Sequence, residues 1–121
     1  MIFSAPYRLD EPLAKHTTWK IGGPAKYMAF PETLEHLDEI SRFLQETKTP
    51  YAFLGNGSNL LVPDEGFDGL VIKTTRLPGF LKALDGERVQ VGASLLNAKA
   101  VRTDAEMGLA GIEFLAGVPG T

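Results

Sequence analysis

Tyr51-Ala52-Phe53-Leu54-Gly55-Asn56-Gly57-Ser58-Asn59-Leu60-Leu61-Val62 is the stretch on which the fold turns. An apolar run enters a turn of glycines, asparagines and a serine, then leaves into a second apolar run. Gly55 and Gly57 can adopt positive φ at little steric cost and place no Cβ in the way. Successive amides can then converge on one point, a nest suited to an anion such as phosphate. A P-loop is excluded because Ser58-Asn59, not Lys-Ser/Thr, follows Gly57. A Rossmann fingerprint is excluded because Leu60 stands where a third glycine belongs, and the run to Pro63 is too short for a helix. On the residues alone two readings stand, a phosphate cradle and a plain tight turn between strands.

Working outward, residues 25–30 read as a strand, Pro31 ends it, and Thr33 can cap a helix. Leu34, Leu37, Ile40, Phe43 and Leu44 recur at helical spacing, with Glu35, Asp38, Glu39 and Arg42 on the other face. Lys48-Thr49-Pro50 closes the helix and residues 51–54 form the next strand. This is a βαβ unit with parallel strands and a right-handed crossover. The glycine turn therefore falls at the carboxyl end of a strand, where open α/β sheets bind ligands. Residues 70–73 give a third strand. Residues 80–84 and 88–91 flank Asp85-Gly86, an antiparallel hairpin. A helix over about 95–107, with Ala98, Val101 and Ala105 on one face and Gly108 at its C-terminal end, follows. Two subdomains are expected, residues 1–78 and 79–121.

At 121 residues and 44% hydrophobic composition, the chain holds one modest core. A net charge of −3 offers no basic footprint for nucleic acid. No apolar stretch reaches membrane-spanning length, and residues 1–6 lack the pattern of a signal peptide. With no cysteine and two histidines, a metal site is not expected, and the composition fits a reducing, cytoplasmic compartment. Gly22-Gly23-Pro24 reads as a structural turn, Trp19 as core or subdomain packing, His36 as solvated, and His16 as a turn hydrogen-bonding group. Glu113, among apolar residues, reads as a carboxylate accepting backbone N–H groups rather than as a catalytic acid. The apolar, glycine-rich run Gly117-Val118-Pro119-Gly120-Thr121 looks like the approach to a further turn, so the chain is expected to be the front part of a larger protein.

Three segments in order, residues 17–25 (Thr-Thr-Trp-Lys-Ile-Gly-Gly-Pro-Ala), 54–61 (Leu-Gly-Asn-Gly-Ser-Asn-Leu-Leu) and 108–121 (Gly-Leu-Ala-Gly-Ile-Glu-Phe-Leu-Ala-Gly-Val-Pro-Gly-Thr), resemble the amino-terminal part of the UDP-N-acetylenolpyruvoylglucosamine reductase family. The resemblance implies an α+β fold, the FAD-binding fold of the vanillyl-alcohol oxidase (PCMH) type. In it a small parallel βαβ subdomain is followed by the start of an antiparallel α+β subdomain. It implies FAD as cofactor and NADPH as hydride donor. The substrate would be a UDP-sugar, reduced to UDP-N-acetylmuramate for peptidoglycan synthesis and hence for cell wall biogenesis, cell shape and cell division. Carried over, Gly55, Asn56, Gly57, Ser58, Asn59 and Leu60 would hold the FAD pyrophosphate. Gly117, Val118, Pro119, Gly120 and Thr121 would approach the flavin ring and ribityl chain. The family's acid serine and its enolate-stabilising arginine and glutamate fall beyond Thr121, so no catalytic residue is assigned and residues 1–121 alone are expected to be inactive. His16 replaces a usual Asn and Ser94 a common Gly. The full-length protein is expected to be a monomer. An FAD-dependent oxidase of a small hydroxy acid, or a non-catalytic phosphate-binding module, are the alternatives.

Overall fold

The computed structural model describes residues 3–58 and 60–121, the side chain of Glu113 excepted. The readings of Asn59 and of the Glu113 carboxylate lie outside what it describes.

Four strands form the first sheet: β1 (Tyr7–Pro12), β2 (Pro24–Ala29), β3 (Tyr51–Leu54) and β4 (Phe67–Lys73), in spatial order β1-β2-β4-β3. Both β2 and β3 run parallel to β4, while β1 pairs antiparallel with β2. The predicted unit is therefore parallel, with β4 inserted between its two strands. β1 had no strand signal in the sequence, because only Glu11 of its six residues is buried. Pairing with β2, rather than hydrophobic alternation, makes it a strand. β4 starts at Phe67 instead of Leu70, since pairing of Ala25 with Phe67 carries it through Asp68 and Gly69.

The period-2 alternation of side chains sorts the core onto both faces of the sheet. Leu70 and Ile72 join Phe3, Ala5, Ala29 and Ile40 on one face, with Leu37, Phe43 and Leu44 packed against them. Val71 joins Leu13, Ala25, Met28, Phe30, Leu54 and Val62 on the other. Each of the valine, leucine, isoleucine, methionine and phenylalanine side chains contributes about 1.5–3 kcal/mol when fully buried. The helix on the first face is α1 (Leu34–Thr47). Thr33 caps it, its Oγ1 accepting from the His36 amide at 3.1 Å, and Lys48 ends it at φ +56°. Leu34 is 77% exposed, outside the apolar stripe that the spacing placed it in, because it lies at the first turn, away from the sheet. His36 is half-buried, its Nδ1 accepting from the Glu32 amide at 3.1 Å, so it caps the helix entry rather than pointing into solvent.

The second sheet is the predicted hairpin, β5 (Leu81–Asp85) with β6 (Arg88–Val91), closed by a bidentate Arg88–Asp85 pair at 2.8 and 2.6 Å. α2 (Asn97–Glu106) follows, and Gly108 turns the chain at φ +77°. Its buried residues are Ala100 and Asp104, not the predicted face of Ala98, Val101 and Ala105. The helix is alanine-rich all round, so its apolar face was ambiguous. The chain reversal settles it: the Leu109 amide bonds the Asp104 carbonyl at 3.0 Å, and the 3-10 helix Glu113–Gly117 packs back on α2.

Candidate functional site

β3 ends at Leu54, and the glycine turn hangs from the carboxyl edge of the sheet. Of the two glycines only Gly57 takes positive φ, at +79°. A Cβ there would overlap the His16 carbonyl oxygen and come within 2.9 Å of Thr17 Cα, while the Thr18 amide donates to the Gly57 carbonyl at 3.1 Å. The backbone of residues 16–18 is thus the back wall of the turn. Gly55, which could adopt positive φ, does not; a Cβ there would meet the Thr121 Oγ1 hydroxyl across the cleft. Asn56 Oδ1 accepts from both the Ser58 amide, at 3.3 Å, and the Ser58 hydroxyl, at 2.9 Å, folding the turn on itself. Among the described residues, neither the Asn56 nor the Gly57 amide donates to a loop or turn carbonyl.

Opposite the turn, the last residues of the chain form a second wall. Asn97 at the start of α2 pins it: the Asn97 amide donates to the Gly120 carbonyl at 2.9 Å and Asn97 Nδ2 to the Val118 carbonyl at 3.3 Å. Between the walls runs a cleft of about 320 Å³. Gly55, Asn56, Gly57, Ser58 and Leu60 line one side, and Val118, Pro119, Gly120 and Thr121 the other. The structure therefore brings the two predicted groups of residues together across one cleft. Gly117 ends the 3-10 helix one residue before that lining. Phe53, Leu54 and Asn97 also line the cleft and were not anticipated. Asn97, a polar residue at a helix start, was the signal available for the last of these.

Trp19 corrects an expectation, being 65% exposed rather than in the core. It shares a shallow depression with Ser58, Leu60 and Leu61 at the outer side of the turn. Gly22 and Gly23 are structural, as expected: the Gly23 amide bonds the Pro63 carbonyl at 3.0 Å, and a Cβ on Gly22 would press 2.7 Å from Val62 Cβ.

No titratable side chain lines the cleft among the described residues, so the arrangement can bind but supplies no proton-transfer group. The charges lie behind it. Lys73, at the end of β4, reaches His16 Nδ1 at 3.0 Å, and His16 Nε2 lies 3.0 Å from Glu11 Oε1, which also accepts from Arg8 at 3.0 Å. Burial, and then the charge of Arg76, lowers the Lys73 ammonium from its ordinary pKa. Burial pushes Glu11 upward, but its hydrogen bonds from His16 and Arg8, together with the Arg8 charge, outweigh that and hold it below the ordinary carboxylate value. His16 thus does more than hydrogen-bond a turn: its ring bridges two charged groups. Ser94, similarly unread, links the segment after β6 to the one after β4 by donating to the Leu77 carbonyl at 2.7 Å.

Comparison with known proteins agrees with this geometry. The chain is 42% identical over 118 residues to the UDP-N-acetylenolpyruvoylglucosamine reductase of Carboxydothermus hydrogenoformans, covering 98% of the chain and 39% of that relative. It is 45% identical over 112 residues to the enzyme of the same name from Geobacter metallireducens, covering 93% of the chain and 37% of that relative. The chain thus spans about two fifths of the length of these relatives. The crystal structure of the corresponding reductase (MurB) from Thermus caldophilus superposes with a TM-score of 0.64 at 40% identity, covering 96% of the chain and 38% of that protein. The fold is the α+β, PCMH-type FAD-binding fold. A family model described as an FAD binding domain matches residues 25–121, a span that takes in the glycine turn and both walls of the cleft, and the chain belongs to that family.

Proposed function

We propose that this chain is the FAD-binding amino-terminal part of a reductase that converts UDP-N-acetylenolpyruvoylglucosamine to UDP-N-acetylmuramate, with NADPH as hydride donor. The observation that carries the reading is the cleft itself, with a glycine turn on one wall and residues 118–121 on the other, in a chain 42% identical to reductases of that name. The residues fit FAD: a side chain at Gly55 would meet Thr121 across the cleft, while the bare Gly57 lets the turn seat against residues 16 and 17, which leaves the space between the two walls open. FAD, when bound, supplies the capacity to take up and pass on a hydride.

In this reading Gly55, Asn56, Gly57, Ser58, Asn59 and Leu60 hold the pyrophosphate through backbone donors. A hydrogen bond to a charged group contributes about 1.5–3 kcal/mol, so a few amides anchor it without a lysine or arginine. Gly117, Val118, Pro119, Gly120 and Thr121 back the flavin and its ribityl chain and keep water from that side. Residues 1–78 and 79–121 act as two subdomains that close on the cofactor from either side. The sugar nucleotide and the proton-donating groups belong to sequence beyond these residues, and the whole enzyme works as a cytoplasmic monomer in peptidoglycan synthesis. The relatives named above favour this over a hydroxy-acid oxidase of the same fold or a bare phosphate-binding module.

The test is purification of the full-length protein, with flavin absorbance and UDP-sugar-dependent NADPH oxidation as readouts. A protein that purifies without flavin and cannot be reconstituted refutes the reading. Gly55→Val, which places a branched side chain against Thr121 inside the cleft, is expected to weaken FAD binding at least about tenfold, the loss of one charge-assisted contact.

A further inference from the structure

The row of charged side chains behind the glycine turn has no task in the proposed chemistry. It links three parts of the fold. Lys73 closes β4, in register with Leu54, the residue before Gly55. His16 ends the 3-10 helix Leu13–His16, and Glu11 and Arg8 lie on β1. The Phe30 ring lies 5.9 Å from the His16 ring and is flanked by the guanidinium groups of Arg8 at 5.2 Å and Arg76 at 4.4 Å. Glu11 is 7% exposed and the His16 side chain 12%, so this is a built-in cluster and not a surface ion pair.

Counting donors assigns the imidazole. An ammonium offers only protons and a carboxylate only lone pairs. His16 Nδ1, facing Lys73, must therefore accept, and Nε2, facing Glu11, must carry the hydrogen and donate. A neutral ring with its hydrogen on Nε2 satisfies both neighbours, whereas a hydrogen on Nδ1 would oppose the Lys73 ammonium. The backbone of this same residue is where Gly57 seats: its carbonyl occupies the space of a Gly57 Cβ, and two residues on, Thr18 bonds the Gly57 carbonyl.

We propose that His16 is a positioning residue for the glycine turn. Its neutral imidazole, held between Lys73 and Glu11, fixes residues 16–18 at the depth that sets the Asn56 and Gly57 amides for an anionic ligand. This rests on the reading that the turn holds the FAD pyrophosphate. The segment from 13 to 23 closes on itself through the bond from the Leu13 amide to the Gly23 carbonyl at 3.0 Å, and its backbone is tied outward by the Gly23 amide to the Pro63 carbonyl at 3.0 Å and by the Thr18–Gly57 bond, so His16 adds a side-chain tie near the middle of the segment. Losing the ring leaves the half-buried Lys73 without this partner and the buried Glu11 with Arg8 alone, and the loop must move to rehydrate them.

The test uses the full-length protein stripped of flavin and titrated with FAD, following the fluorescence of the flavin, for His16→Leu, His16→Gln, Lys73→Met and Gly55→Val. His16→Leu is expected to bind FAD about tenfold or more weakly. Glutamine carries a neighbouring acceptor and donor, so His16→Gln is expected to restore binding to within about threefold of wild type, a rescue that mere packing would not produce. Nitrogen-15 spectra of wild type are expected to show a pyridine-type Nδ1 and a pyrrole-type Nε2 at His16. Wild-type affinity in His16→Leu, while Gly55→Val has lost FAD, overturns the role of His16 alone. Wild-type affinity in Gly55→Val overturns the underlying reading of the turn. If His16→Leu does not fold, Lys73→Met decides, since it leaves the His16–Glu11 bond in place: unchanged affinity there overturns the proposal, and weakened affinity supports it.

Discussion

Gly57→Ala is expected to be among the most damaging single-methyl additions in the chain, and the structure supplies its own control. Gly57 and Gly108 hold nearly the same backbone conformation, φ +79° and +77°. An alanine at either position pays for the left-handed region, about 1–2 kcal/mol. Around Gly108 nothing lies within 4 Å of the added Cβ, so that is the whole cost there. At Gly57 the methyl meets three backbone atoms of residues 16 and 17, which cannot rotate away as a side chain would. The turn and the 16–18 segment must separate, breaking the Thr18–Gly57 bond for about 0.5–1.5 kcal/mol and adding overpacking strain of about 1–3 kcal/mol. Gly57→Ala should therefore lie about 1.5–4.5 kcal/mol below Gly108→Ala, a gap of about 6–18 °C in melting temperature for a domain of this size. Paired thermal melts read by circular dichroism measure that gap directly. Because the displaced segment is also the back wall of the site, Gly57→Ala should lose FAD while Gly108→Ala keeps it. Melting temperatures of the two variants within about 2 °C of each other would refute the reasoning, since the overlap would then cost less than about 0.5 kcal/mol.

Thr33→Ala removes the cap bond to the His36 amide and should cost about 1 kcal/mol with no change in FAD binding, read by urea unfolding and flavin titration together. Glu11→Gln tests the charged cluster through pH. The folded-state pKa of Glu11 is depressed, so its contribution to stability is complete above its ordinary value of 4.5 and is lost as the pH falls through the depressed value. At pH 7 the glutamine variant should be less stable by about 1.5–3 kcal/mol, and the gap should narrow on acidification. Melting curves that stay parallel down to pH 3 would count against it. Ser94→Ala should cost about 1 kcal/mol through the lost Leu77 carbonyl contact, and hydrogen exchange near residues 77–79 should quicken.

What the sequence disclosed was what local chemistry decides. Thr33 and the Lys48-Thr49-Pro50 run bracket α1 because a hydroxyl can cap its start and a proline cannot continue it, and both signals are written in the residues, although the left-handed turn at Lys48 is not. Asp85-Gly86 announced its hairpin for the same kind of reason. What stayed hidden depends on partners distant in the chain. β1 is a strand only because β2 lies beside it, and nothing in its own alternation says so. The buried face of α2 was chosen by the reversal at Gly108, not by its alanines. At the glycine turn the composition was legible but the division of labour was not: Gly57 serves conformation and backbone approach, Gly55 serves space opposite Thr121.

That division bears on how tightly a cofactor could be held. The turn contains no cation, and the nearby positive groups of Lys73 and Arg8 are engaged with His16 and Glu11. Affinity must then come from aligned amides, whose value depends on geometry more than on charge, and from burial of the ring against the opposite wall. Backbone donors lose strength steeply once bent or lengthened, so a shift of a few tenths of an ångström in residues 16–18 acts on binding without touching a ligand atom. Salt separates the two sources of affinity. A site built on free lysines would weaken markedly as ionic strength rises, because exposed charges are screened. One built on fixed amides in a cleft should change by less than about threefold between 50 mM and 500 mM sodium chloride. A loss of tenfold or more in the FAD titration over that range would show that exposed cations, and not the turn's amides, hold the pyrophosphate.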